Sequence, residues 1–179
     1  MQADLRAVRV LHELLGLRMS EIAELLERFR RGPEILAAAL TGAAGSEVDF
    51  APDGKWSVRT IMAHLADAEV VGAMRFRQVI AEDEPSLQAY DQEAWANHLD
   101  YPKRKPSQSL ETFRRIRSEN YELLAGMAEE VFARKGLHSE RGPMSLLDLV
   151  RLYVDHVEKH GQQVRAVRAA FKEAKKQPH

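Results

Sequence analysis

Cysteine is missing from the sequence. The protein therefore has no disulfide bonds, no thiolate metal site and no thiol nucleophile of its own. Any chemistry must rest on histidines, carboxylates, hydroxyls or an added cofactor.

An excess of charge of one sign is also missing. The 179 residues carry 26 Lys and Arg against 27 Asp and Glu, a formal net charge of −1. This balance offers no basic surplus for a phosphate backbone, so we expect no nucleic-acid partner. Apolar runs approaching the roughly 20 residues of a membrane span are lacking too. We therefore expect a soluble, cytoplasmic protein with no membrane partner.

Apolar residues recur at helical spacing, and alanine and leucine, both strong helix formers, are frequent. The four long stripes cover residues 22–40, 57–81, 107–135 and 145–171. No segment reads as a convincing strand. The sequence predicts an all-α four-helix bundle that forms one domain over residues 1–179. Residues 1–18 are interpreted as a helical extension, with Met19 as an alternative start, and residues 172–179 as a frayed tail.

Helix boundaries are marked by capping residues. Gly32-Pro33 predicts either one kinked helix or two short ones. Ser57 and Ser145 are predicted N-caps of the second and fourth helices, and Ser107 or Ser109 of the third. The third helix is expected to stop near Lys135-Gly136. The run from Pro102 to Pro106 is interpreted as a solvated loop.

Three histidines occupy positions where the helical period calls for apolar residues. His156 and His160 lie one turn apart on the fourth helix, and His64 lies on the inward stripe of the second. Imidazoles four residues apart can converge on one cation, and a third would make an open metal site completed by solvent. The alternative is a set of hydrogen-bonded core histidines. A zinc-protease pattern is excluded, because Glu158 lies about 200° around the helix from His156.

Four other polar residues lie close to these stripes. Asp67 and Glu69 are candidate catalytic carboxylates that could orient an imidazole or act as a base, with an exposed helix surface as the alternative. Arg117 can reach an anionic substrate group or lie along an apolar face. Tyr153 is interpreted as a core residue with its hydroxyl near the site.

Several motifs together resemble the DinB-like superfamily, in particular its DinB_2 branch of YfiT-like metal hydrolases and thiol-dependent S-transferases. The motifs are the Trp56-Ser57 helix start, His64-Leu65-Ala66-Asp67-Ala68-Glu69, Tyr90-Asp91-Gln92-Glu93-Ala94-Trp95 and His156-x-x-x-His160-Gly161-Gln162-Gln163. The resemblance covers residues 19–171.

The resemblance implies that His64, His156 and His160 bind one divalent ion, often zinc or nickel. It also implies a homodimer, and it places His138 near the mouth of the pocket, with an ordinary loop histidine as the alternative. The candidate substrate-binding residues are thus Arg117, His138 and Tyr153. Three functions stay open for a small-molecule substrate. The first is transfer of a low-molecular-weight thiol (bacillithiol, mycothiol or glutathione) to an electrophile. The second is metal-dependent hydrolysis, and the third is a stress-response protein that binds a metal or small ligand without turnover.

Overall fold

The computed structural model describes Met19 and residues 21–176. The predicted helical extension, residues 1–18, lies outside the described residues. The last three residues of the predicted tail, 177–179, lie outside them as well.

Long helices form a four-helix bundle, as predicted. The described helices are α1 (21–30), α2 (Gly32–Leu40), α3 (Ser46–Asp49), α4 (Val58–Ala81), α5 (Gln92–His98), α6 (Pro106–Ala125) and α7 (Leu146–Ala174). The helix α4 packs against α6 and α7, and α2 packs against the same two helices. The helices α1 and α2 are separated only by Arg31 and together act as one kinked helix. α7 continues through Ala174, beyond Phe171, where the predicted helix ends.

The kink between α1 and α2 follows from Pro33. Proline has no N–H to donate to the carbonyl four residues earlier, which here belongs to Phe29. Arg117 of α6 supplies the missing donor, since its Nη1 lies 3.2 Å from the Phe29 oxygen. The break between α1 and α2 is thus stabilised by a buried arginine of α6.

The predicted caps of α4 and α7 are confirmed. The Ser57 side chain accepts the backbone N–H of Thr60. At α7 a full capping box forms, in which Ser145 accepts the N–H of Asp148 and the Asp148 carboxylate accepts the N–H of Ser145. Both caps satisfy backbone donors that the first helical turn leaves free. They fix where the helices that carry the histidines begin.

The prediction for the third helix is wrong at both ends. α6 begins at Pro106, its N-cap Lys105 makes no side-chain cap, and Ser107 and Ser109 lie inside the helix. Proline suits the first helical turn because it lacks an N–H that would be unsatisfied there. The helix ends at Ala125, ten residues before Lys135, and a 3-10 turn, Glu129–Ala133, follows.

A small sheet corrects the expectation that the chain contains no strand. The strand β2 (Lys135–His138) pairs in parallel with β1 (Ser86–Leu87) and antiparallel with β3 (Gly142–Ser145). Gly142 adopts φ +73°, which suits the glycine of a short hairpin loop. Strands of two to four residues are too short to show a clear alternation of polar and apolar residues.

The run from Pro102 to Pro106 is also more than a solvated loop. It overlaps with a 3-10 turn, Tyr101–Lys103, in which Tyr101 is completely buried. Arg104 bonds to Asp67, and its carbonyl accepts a hydrogen bond from Arg59. These contacts fasten the segment to α4.

The described core contains two large apolar clusters with a polar layer between them, and a third, small cluster of Ala63, Ala96 and Tyr101. The first large cluster contains Phe76 of α4 and Leu124 of α6, and the second contains Leu65 of α4 and Phe113 of α6. The buried residues Glu69 and Arg117 lie between these positions on α4 and α6, respectively. No helix in the described residues is both long and apolar enough to cross a membrane.

Candidate metal centre

The three predicted histidines meet in the bundle. One ring nitrogen of each of His64, His156 and His160 lies within 4.8 Å of the others. The Nε2 atoms of His64 and His156 are 3.0 Å apart. His64 comes from α4 and the other two from successive turns of α7, so packing of these two helices assembles the group.

Burial keeps these imidazoles neutral. Desolvation is the main cause that lowers the pKa of His64 to about 4, with a further contribution from His160. Burial, followed by the neighbouring His160 and His64, lowers the pKa of His156 to about 2. Burial also lowers the pKa of His160. A metal ion requires unprotonated imidazole, so the group is in the binding-competent form at neutral pH.

The hydrogen bonds of the three rings do not match those of an ordinary core cluster. His160 Nδ1 lies 2.7 Å from Gln163 Oε1, an acceptor, so Nδ1 carries the proton and Nε2 keeps a lone pair. His64 is fully buried, and its Nδ1 has no hydrogen-bond partner among the described residues. A satisfied core histidine would bond both nitrogens. The donor set fits a divalent ion, because imidazole suits zinc and nickel. His160 also bonds a second group, Gln163, through its other nitrogen, as ligating histidines usually do.

Glu158 takes no part in this group, as its position on the helix predicted. Its carboxylate accepts two hydrogen bonds from Arg28, at 2.8 and 3.0 Å. The carboxylate is therefore engaged on another side of α7.

Asp67 is held by an ion pair. Arg104 Nη1 donates to its Oδ1 at 2.6 Å, and the carboxylate side chain is 17 % exposed. The negative charge of Asp67 acts on His64 by raising its pKa, against the larger effect of burial. Asp67 is thus electrostatically coupled to the candidate centre.

Glu69 and Arg117 form a buried ion pair with each other. Two hydrogen bonds of 2.7 and 2.8 Å join the guanidinium to the carboxylate, and each side chain is only 1 % exposed. The guanidinium also packs over the rings of Phe29 and Phe113. Both charges are used within the bundle, so the structure favours a role in stability over the catalytic and substrate-binding roles predicted for them.

Tyr153 and His138 line a cavity that reaches His156. The cavity measures about 120 Å³, and its wall also contains Arg75, Tyr90, Gln92, Glu140 and Arg141. Tyr153 approaches α4 closely because Gly72 faces it, and a Cβ atom at Gly72 would lie 2.7 Å from the tyrosine ring. The structure therefore brings together two of the three residues that we predict to bind substrate.

Two residues at the site, Arg75 and Gln163, are absent from the sequence-based predictions. Arg75 follows His64 by eleven positions, so on an ideal helix the two side chains differ in direction by only about 20°. A charged residue therefore lies on the inward stripe of α4. Gln163 follows His160 by three residues, the spacing of neighbours on one helix face. Both residues could be recognised from their helical spacing. The residue that β2 contributes to the cavity, His138, could not be placed in this way, because its position depends on the pairing of β1 with β2.

A family model described as the DinB superfamily matches residues 17–164. The Bacillus subtilis protein named "Putative metal-dependent hydrolase YfiT" is 30% identical over 109 residues, which span 60% of this chain and 61% of that protein. A Geobacillus thermodenitrificans protein named "Putative metal-dependent hydrolase" is 27% identical over 153 residues, which span 84% of this chain and 86% of the relative.

Two solved structures share the fold. YfiT from Bacillus subtilis, whose structure is described as having an unusual four-helix bundle topology, superposes with a TM-score of 0.81 at 24% identity and covers 86% of this chain and 89% of its own. A mycothiol-dependent maleylpyruvate isomerase gives a TM-score of 0.65 at 12% identity, covering 80% of this chain and 60% of its own. At these identities the likeness concerns the fold.

Proposed function

The chain belongs to the DinB superfamily, and from this premise we propose that it is a metal-dependent enzyme with His64, His156 and His160 as its metal ligands. The observation that carries the proposal is the convergence of three neutral imidazoles within 4.8 Å. The names of its relatives from Bacillus subtilis and Geobacillus thermodenitrificans agree with metal dependence.

A divalent ion at this centre would supply Lewis acidity and lower the pKa of a water or thiol nucleophile. The residues of the chain have separate tasks. Gln163 fixes the ring orientation and tautomer of His160 through the Nδ1 hydrogen bond. Asp67, held by Arg104, is the candidate base, and Tyr153 and His138 line the space for the substrate beside His156.

Hydrolysis is the reaction that we propose first. The support comes from the relatives, whose names specify hydrolysis, and from a centre with three protein ligands, which leaves a coordination position for the reactants. A centre with four protein ligands would be closed to substrate.

Thiol transfer is the second candidate. It is favoured by the shared fold with a mycothiol-dependent isomerase. In this reaction a low-molecular-weight thiol would replace water as nucleophile at the same centre. Whether turnover requires a thiol separates the two candidates.

The test is a turnover assay on metal-free protein reloaded with Zn²⁺ or Ni²⁺. A panel of small esters and amides is assayed without thiol, and haloalkyl electrophiles are assayed with glutathione, bacillithiol or mycothiol. We expect ester or amide cleavage that depends on added metal and is abolished in His156→Ala. The matched control is His98→Ala, an exposed histidine on α5, which should retain full activity.

Strict dependence on a thiol would contradict hydrolysis and support transfer. Binding of one ion per chain without turnover of any substrate would leave a metal-binding protein as the function. Equal activity of His156→Ala and wild type would contradict the proposed metal ligands.

A further inference from the structure

Arg75 is a buried cation without a buried anion beside it. Its side chain is 6% exposed, and no carboxylate among the described residues lies within salt-bridge distance of it. Arg117, the second buried arginine among the described residues, is matched by Glu69. A buried charge is strongly destabilising unless it is paired. Arg75 therefore lacks the counter-charge that Glu69 gives to Arg117.

The hydrogen bonds of Arg75 are incomplete as well. Its Nη1 donates to the Tyr153 hydroxyl at 3.3 Å, and its Nη2 donates to the Gln88 carbonyl at 2.5 Å. Both acceptors are neutral. A guanidinium has five N–H bonds, and the buried Nε of Arg75 has no partner among the described residues.

Arg75 forms part of the wall of the cavity that reaches His156. The same wall contains a second donor. His138 is buried, and its Nδ1 accepts the backbone N–H of Glu140 at 3.2 Å. In the neutral ring the proton is then on Nε2, which is available to donate to a ligand. Two exposed residues of opposite charge, Arg141 and Glu140, complete this side of the cavity.

We propose that this cavity binds a carboxylate group of the substrate, with Arg75 as its counter-charge and His138 as a further donor. A single negative charge matches the single buried cation among the described residues of this wall. A phosphate dianion would add a second charge close to Glu140. The volume of about 120 Å³ suits a small acid group rather than a drug-sized ligand, whose pockets measure about 300–1,000 Å³.

The proposal names a substrate class for the proposed enzyme, and that link rests on the proposed function. Since His156 belongs to both the cavity wall and the histidine group, a carboxylate held here would place a neighbouring bond of the same molecule beside the candidate metal centre. The substrate would be a small carboxylic acid whose reactive ester, amide or electrophilic carbon lies a short chain away. Binding of the carboxylate itself does not depend on the metal.

The experiment titrates propionate into metal-free, ¹⁵N-labelled full-length protein and follows backbone amide shifts. Propionamide is the uncharged control, and inorganic phosphate is the alternative anion. We expect saturable shifts at Ala89, Tyr90 and His138 with propionate, and affinity at least about tenfold weaker in Arg75→Met, which loses a charge-assisted contact. The matched variant is Arg77→Met on the same helix, whose arginine bonds Asn120 and Ala73 outside the cavity. It should bind within about twofold of wild type.

Equal binding of propionamide, or an unchanged affinity in Arg75→Met, would overturn the proposal. Tighter binding of phosphate would overturn the choice of carboxylate. If Arg75→Met does not fold, the wild-type shift map decides, because shifts away from the cavity would equally contradict the site. The protein is free of metal throughout, so a failed turnover assay leaves this result unaffected.

Discussion

At the scale of single residues, Glu69 and Arg117 form a buried ion pair between α4 and α6. Its two side chains are 1 % exposed and share two short hydrogen bonds. Arg117 also donates to the backbone oxygens of Phe29 and Tyr153, so one guanidinium connects α1, α4 and α7. Loss of its counter-charge would leave an uncompensated cation inside the bundle.

We therefore predict that Glu69→Gln lowers the free energy of unfolding by about 3–5 kcal/mol, the range for breaking a buried ion pair. Urea denaturation measures it. The control is Glu27→Gln, which removes an exposed pair with Arg30 and should lower the free energy of unfolding far less, because water screens exposed ion pairs. Equal losses in the two variants would show that the buried pair contributes no more than an exposed one.

The candidate ligands could be predicted from the sequence because helical periodicity alone places His64, His156 and His160 on inward stripes. The partners of Glu69 and Arg117 could not, since their pairing depends on the packing of α4 against α6. Arg75 was missed for another reason. Arginines often lie along apolar faces with the charge in water, and only the structure shows that this one is enclosed.

At the scale of elements, the residue at which α7 begins determines where His156 and His160 lie along the axis of the bundle. The capping box of Ser145 and Asp148 fixes that start. Hydrogen bonds from the Ser145 hydroxyl and backbone lower the pKa of Asp148 below its usual value of 3.8. A carboxylate with a lowered pKa stabilises the fold above its unfolded pKa, and this contribution is lost as the pH falls through the folded pKa.

Asp148→Asn should accordingly reduce the free energy of unfolding by about 1 kcal/mol at pH 7. The difference from wild type should narrow as the pH falls below about 4, where the wild-type carboxylate becomes protonated. Denaturation at a series of pH values provides the measurement, with Asp53→Asn in an exposed turn as the control. A difference that is constant from pH 7 to pH 3 would contradict the charged capping box.

Helices and strands differ in how well the sequence predicts them. The starts of α4 and α7 follow from serine caps and a long apolar period, which are local signals. The strands β1, β2 and β3 have two to four residues each, and β1 pairs with β2 across about 50 residues of chain. Such pairing depends on tertiary contacts, which the hydrophobic periodicity of a short segment does not indicate.

At the scale of the whole molecule, a metal ion bound between α4 and α7 would join two helices of the bundle. A ligand that binds the folded state alone adds about 2.7 kcal/mol at a concentration of 100 times its Kd. For a chain of 179 residues this corresponds to a rise in Tm of about 5–10 °C.

We predict such a rise for metal-free protein on addition of Zn²⁺, measured by scanning calorimetry. The same addition should not raise the Tm of a variant in which all three histidines are alanine. Mg²⁺ serves as the control ion, because imidazole sites favour zinc and nickel over magnesium. A similar rise with Mg²⁺, or in the variant, would indicate binding elsewhere on the chain. The predicted homodimer remains a prediction at this scale, and the mass in solution would test it.

The most direct test of the account is the metal content of the untagged, purified protein, measured by mass spectrometry for wild type and for His156→Ala/His160→Ala. The centre formed by His64, His156 and His160 predicts about one divalent ion per chain in the wild type and none in the variant. A wild-type protein that holds no ion even after reloading with Zn²⁺ or Ni²⁺ would contradict the proposed metal centre.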